Sequence, residues 1–405
     1  MAKHRHNIRW ATIIALVTGW LSAASALAQQ SEDEGGLQAN VGLHFDLNDN
    51  IYDSSTQEIE SWIARISPDL LLSSTPGQRQ FSAQYVGDYG KFLDNSDSAD
   101  DYEDHSVTGR GLFQMGSRGS LDLSAVFAQG HDGRGSGQTR GLSPGSPGFP
   151  PEPDEFERIG WTAQYSHGAE GARGRLNFGL GGSELEYSNN LERTQFFDRN
   201  DSYAFGSIAI GARERTAFVL QARYTNTDYD VERPGETGRS GDNWRGLVGF
   251  TWEATSKTEG SIRVGAERRS FDDPEQESVT DVSWDIAVRW SPREYSYFDF
   301  VTTRENQETI GEGSFVDHSS YGVSWTHEWP IGLESVLSWD RQDDDFVGTT
   351  RKEEWSEAYV GLRLPQGERV LWEAGVSRRD RNSTLEDLEF EGMLFTIGVN
   401  FQLAR

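Results

Sequence analysis

The stretch Val282-Ser283-Trp284-Asp285-Ile286-Ala287-Val288-Arg289-Trp290 puts an apolar side chain at every even position and, Ala287 apart, a polar or charged one at every odd position. A period of two belongs to an extended strand, whose successive side chains point to opposite faces. A helix would instead gather its apolar residues at i, i+3, i+4 and i+7. The same alternation runs through Leu37, Ala39, Val41, Leu43, Phe45 and Leu47, and through Trp62, Ala64, Ile66, Pro68 and Leu70. It returns at Phe81, Ala83, Tyr85, Gly87 and Tyr89, at Leu121, Leu123, Ala125 and Phe127, and at Met393, Phe395, Ile397, Val399 and Phe401.

The connections alternate as well. Short turns are marked near residues 75–77, 117–119, 168–173, 212–215, 256–258, 292–294, 330–332 and 365–367, most of them by Gly or Pro. Between them lie longer polar loops near 48–58, 94–104, 132–154, 188–199, 230–242, 272–278, 305–316, 342–352 and 382–390. Eight turns and nine loops imply 18 strands; 16 is the alternative, because strands 7, 8, 13 and 16 alternate poorly. An even number of strands with short turns on one side and long loops on the other predicts an all-β, antiparallel up-and-down transmembrane β-barrel. Its place would be the outer membrane of a Gram-negative bacterium, with both termini periplasmic. A soluble sandwich would divide so many strands among domains joined by linkers, and a propeller would repeat a blade sequence; neither feature is seen.

Composition narrows the chemistry. The 405 residues include 13 Trp, 13 Tyr and 21 Phe, too many aromatics for a disordered chain, and no Cys, which removes disulfides, thiolate metal sites and a thiol nucleophile. With 65 Asp and Glu against 37 Lys and Arg, a formal charge of −28, the chain would repel phosphate backbones, so nucleic acid is not an expected partner. Lys3, Arg5 and Arg9, the apolar run Ala11 to Leu21 and Ala26-Leu27-Ala28 read as an export signal. Residues 1–28 are thus expected to be removed, leaving 29–405 as the barrel. Eleven Trp residues, from Trp62 to Trp372, mostly lie near expected strand ends, where an interfacial girdle would place them.

Parity assigns the polar face. If the apolar positions meet lipid, the lumen receives Arg65, Asp69, Arg110, Asp122, Arg245, Glu253, Arg263, Glu267, Asp285 and Arg289. As a set they would form a pore wall in which Arg meets acidic sugars and carboxylates accept hydrogen bonds from hydroxyls. Individually, each would pair with a neighbouring strand. The acidic loop Asp94 to Asp104 reads as a solvated face, with recruitment of cations that bridge to lipopolysaccharide as the functional alternative. The loop 132–154 would either fold into the channel or lie outside it. No metal ligand set, nucleotide loop or cofactor is expected. His318-Ser319-Ser320 resembles the His-x-Ser of lipid-hydrolysing barrels, but parity turns both groups to the lumen, away from acyl chains, and no enzyme is expected.

The length, the Asp49-Asn50-Ile51-Tyr52 stretch after the first strand and the Trp-rich later hairpins resemble the β-barrel porins encoded with exopolysaccharide systems, of the EpsL and VpsM type. The similarity is one of pattern over nearly the whole chain beyond residue 28. It implies a part in polysaccharide export or assembly, with outer-membrane lipid, lipopolysaccharide, the polysaccharide and envelope export components as partners, and no catalytic residues. The alternatives are a small-solute diffusion porin and a plugged structural or adhesive barrel. One departure is that Phe401 is followed by Gln402, Leu403, Ala404 and Arg405, where such barrels end on an aromatic residue. Either four further residues are tolerated there, or the last strand extends to Leu403.

Overall fold

The structure, a computed structural model, describes residues 35–94, 98–168, 172–213, 215–255, 257–309 and 311–404. The expected leader lies outside the described residues, as do Asp97 of the acidic loop and the side chain of Glu253. The first nine strands are β1 Gly36–Asn48, β2 Ser61–Ser73, β3 Arg79–Phe92, β4 Tyr102–Met115, β5 Gly119–Asp132, β6 Asp154–His167, β7 Gly174–Tyr187, β8 Arg199–Arg213 and β9 Thr216–Tyr229. The second nine are β10 Gly241–Thr255, β11 Thr258–Phe271, β12 Val279–Arg293, β13 Ser296–Gln307, β14 Phe315–Glu328, β15 Glu334–Val347, β16 Lys352–Gln366, β17 Val370–Ser383 and β18 Phe390–Ala404.

Every strand pairs antiparallel with its sequence neighbours, and β1 also pairs with β18, so the 18-stranded sheet closes on itself. Closure leaves no edge of unpaired amides, the condition for a sheet to stand in hydrocarbon. The short connections β2–β3, β4–β5, β6–β7, β8–β9, β10–β11, β12–β13, β14–β15 and β16–β17 leave the sheet at one end. The loops L1 (49–60), L2 (described at 93–94 and 98–101), L3 (133–153), L4 (188–198), L5 (230–240), L6 (272–278), L7 (described at 308–309 and 311–314), L8 (348–351) and L9 (384–389) gather at the other.

The faces follow from register. Leu176, Ile208, Leu220, Val248, Val264 and Trp284 are direct partners on six successive strands, β7 to β12. All but Trp284 are exposed, Leu220 at 57%. Such a continuous row of bare aliphatic side chains fits lipid rather than water. It climbs around the wall until it meets Arg304, the partner of Trp284 on β13. There the outer face turns ionic: Arg304 pairs with Asp317, Arg341 with Asp343 and Glu354, and Lys352 with Asp345. These pairs explain why L8 is shorter than its sequence suggests. Gln342 to Asp345 is polar on both faces, yet its backbone stays in the ladder opposite 352–355.

At the short-turn end an aromatic cluster forms on the outer face. Trp290 stacks on Phe298 with centroids 5.3 Å apart, Phe298 on Trp325 at 6.4 Å, and His327 lies 4.4 Å from Trp329. Trp355 departs from the girdle: its register opposite Gln342, out of phase with the exposed Val360 and Leu362, turns it inward. The last strand runs to Ala404, with Leu403 exposed on the outer face.

Candidate channel lumen

The polar positions opposite the apolar rows form an inner wall in which charge is matched locally. Arg65 reaches Asp46 at 2.7 Å on β1 and Asp88 at 3.8 Å on β3, while Asp69 accepts a 2.7 Å hydrogen bond from the Gln84 amide. Arg110 on β4 is gripped by Asp122 on β5. Arg263 pairs with Asp285 at 2.8 Å, and Arg289 with Asp299 through two parallel contacts of 2.7 and 2.8 Å. Arg245 lies 3.0 Å from Glu305 and 3.7 Å from Glu267, and Glu267 also accepts from the Asn243 amide at 2.6 Å. Glu253 belongs to β10, but its side chain is not among those described. Such cross-strand pairs let opposite charges sit side by side facing a polar interior.

Between β4 and β9 the wall is hollowed into a recess of about 260 Å³, lined among others by Arg110, Asp122, Gln164, Tyr203, Phe205, Gln221 and Arg223. Two glycines on β7 shape its floor. A Cβ at Gly179 would meet the Phe205 ring at 2.5 Å, and one at Gly181 the Tyr203 ring at 2.4 Å. The missing side chains let both rings lie close against the wall. The Tyr203 hydroxyl is 2.6 Å from that of Thr162, and the Arg223 guanidinium lies over the Tyr203 ring, 4.5 Å from its centroid.

The long-loop end is crossed by an interlocked crown. Arg134 of L3 donates to both carboxylate oxygens of Asp100 in L2, at 2.7 and 2.8 Å, and Asp100 accepts a 2.7 Å hydrogen bond from Tyr52 of L1. Phe149 meets the Tyr52 ring edge-on at 5.3 Å. L3 then continues across to the far side: Arg140 pairs with Glu353 on β16 at 3.1 Å, and a Cβ at Gly141 would lie 2.7 Å from the Asp387 carbonyl oxygen in L9. β5 and β16 are seven neighbours apart in the closed sheet, so L3 spans a chord of the mouth. The sequence leaves this loop either folded into the channel or lying outside it; in the structure it lies across the mouth.

A second knot joins L4, L5 and L7. Arg239 lies over the Tyr229 ring at 4.0 Å and donates to the Phe196 carbonyl; Arg269 pairs with Glu308 at 2.7 Å, and the Tyr229 hydroxyl donates to Glu308 at 2.7 Å. Burial pushes the Asp53 carboxyl of L1 above its ordinary range, against the pull of Arg379, Arg381 and Arg140. Of these loop residues the sequence marks only Tyr52, in the stretch after the first strand, and Asp100, in the acidic loop, and gives neither a structural role, because polar loops carry no periodic signal to separate a locked residue from a solvated one.

His318 and Ser320 sit on the inner face of β14 but do not engage one another by any described hydrogen bond. His318 Nδ1 is 2.6 Å from Asp344 Oδ1, while the Ser320 hydroxyl is 2.7 Å from that of Thr303. A serine so engaged lacks the base contact that would activate it. Among the described residues no group of three or more His, Asp and Glu is placed to hold a metal.

Several solved structures are similar to the chain. The FrpB iron transporter from Neisseria meningitidis (F5-1 variant) superposes with a TM-score of 0.50 at 10% identity, over 86% of this chain and 63% of that one. OpdQ of Pseudomonas aeruginosa gives 0.49 at 14% identity over 91% and 99%, and a BenF-like porin from Pseudomonas fluorescens Pf-5 gives 0.49 at 12% over 91% and 99%. The chain thus spans less than two thirds of the iron transporter's length. At these identities the likeness concerns the fold alone. No curated protein matches the chain in sequence. The family described as "Putative beta-barrel porin 2" matches residues 37–403, the whole of the closed sheet but its outermost residues, and the chain belongs to that family of outer-membrane barrels.

Proposed function

We propose that this porin-like barrel takes part in moving a polysaccharide across the outer membrane, with the turns and both termini periplasmic and the crown outside. The reading is supported by the resemblance of the chain to porins of exopolysaccharide systems and by one observation on the wall. Its inner face combines paired charges with inward aromatic rings, Tyr203, Phe205 and Tyr359. Apolar ring faces suit the flat faces of sugars, and amides and carboxylates suit their hydroxyls. A wall of 18 strands is wide enough to enclose water. The crown is the observation that favours the second reading, a small-solute porin, because a strut across the mouth narrows what can pass. No catalytic step is proposed.

Planar-bilayer recordings separate the two. Polysaccharide passage predicts a current blocked by a long oligosaccharide and indifferent to its monosaccharide, together with loss of secreted polymer when the gene is deleted and unchanged permeability to small solutes. Free monosaccharide flux without any oligosaccharide block would leave only the small-solute porin.

A further inference from the structure

The recess on the inner wall contains the feature that the paired charges elsewhere lack. Arg223 on β9 has its Nε 3.3 Å from the Thr225 hydroxyl and its guanidinium stacked on Tyr203, yet no carboxylate among the described residues lies within ion-pair distance of it. Its direct partner on β10 is another arginine, Arg245, whose own guanidinium is taken up by Glu305 and the Ser283 hydroxyl. Arg110 and Arg263 are held by Asp122 and Asp285. Arg223 is therefore a cation that no carboxylate among the described residues compensates by an ion pair, seated over the Tyr203 ring in a recess that Arg110 also lines.

The geometry points to a binding subsite for one carboxylate-bearing sugar unit. The planar fork of Arg223 would take the carboxylate in a two-pronged contact. The Phe205 ring would take the apolar face of the sugar, and the amides of Gln164 and Gln221 its hydroxyls. Gln221 is already oriented, because its carbonyl oxygen accepts from Arg263 Nη1 at 2.7 Å, which leaves its amide N–H groups to the recess. At about 260 Å³ the recess falls just below the roughly 300–1,000 Å³ of whole small-molecule sites, which fits a single ring of a longer chain. The inference rests on the polysaccharide reading and narrows it to an acidic polymer.

The test uses the full barrel in planar bilayers, as wild type, Arg223→Gln and Arg223→Lys, with trigalacturonate and maltotriose as probes. Heat-modifiable migration on gels identifies the folded barrels. Trigalacturonate should block the wild type at a concentration at least about tenfold lower than it blocks Arg223→Gln, the loss expected for one charge-assisted contact. Arg223→Lys should fall between, since it keeps the charge but loses the fork, and maltotriose should block all three alike. Block by both saccharides that ignores either substitution overturns the subsite and leaves the polysaccharide reading standing. Arg223-dependent block by acetate, with none by either saccharide, overturns the sugar and the polysaccharide reading together.

Discussion

Truncating Arg134 to Ala, with Asp100 left in place, should unlatch L3 from the mouth of the barrel. The two side chains are 5% and 6% exposed, so removing the cation strands a buried carboxylate. Loss of one partner of a buried pair costs about 3–5 kcal/mol, here charged to the crown rather than to the sheet. The cost should appear as faster proteolytic nicking within 133–153 and a larger single-channel current, while the heat-modifiable shift of the barrel stays at the wild-type temperature. Arg134→Ala/Asp100→Asn should recover part of the loss, because the stranded charge goes with the cation. Unchanged nicking and current in the single variant would mean that the crown is held by its other contacts and that the chord is not a gate.

The second large effect concerns the outer face. Leu220 lies mid-strand on β9, flanked by Ile208 and Val248, and Leu220→Arg should destabilise the barrel by about 2–4 kcal/mol, measured by urea titration in lipid vesicles. Val86, 40% exposed on the inner face opposite Asp69, offers the comparison. Val86→Arg should cost well under about 1 kcal/mol, since it enters water beside a carboxylate. Equal damage from both would undo the assignment of faces. Parity alone also suggests Ser283 as a tolerant inner site, but the structure rules against it. Ser283 is 1% exposed, with its hydroxyl donating to the Arg304 carbonyl at 2.6 Å and accepting from Arg245 Nε at 2.8 Å. An arginine there has neither room nor a replacement for those bonds.

Ser283 shows where the sequence stops being legible. Alternation reports which side of the wall a residue takes, and for β1, β2, β12 and β18 it does so cleanly, because large apolar and polar residues take turns. It fails on β8, where the outward positions hold Ala204 and Gly206 and the inward ones Tyr203 and Phe205. There the bulky rings are on the water side, so hydropathy points the wrong way and the recess stays hidden. Arg223 carries no mark in sequence either: that no carboxylate among the described residues reaches it is a property of β8 and β10 as much as of β9. The turns were readable because Gly and Pro impose local backbone geometry, whereas the extent of L8 was not, since Asp343 to Asp345 keep their strand through partners on the next hairpin.

The seam between β1 and β18 has a bearing on how the molecule can be made. The first strand cannot satisfy its outer row of amides until the final one arrives, and each amide left bare in hydrocarbon would cost several kcal/mol. Synthesis therefore has to finish before insertion can, and a nascent or C-terminally clipped chain has nowhere stable to wait within the bilayer. Such a chain must be kept soluble in the aqueous compartment it crosses, and it offers itself there to proteases rather than to lipid.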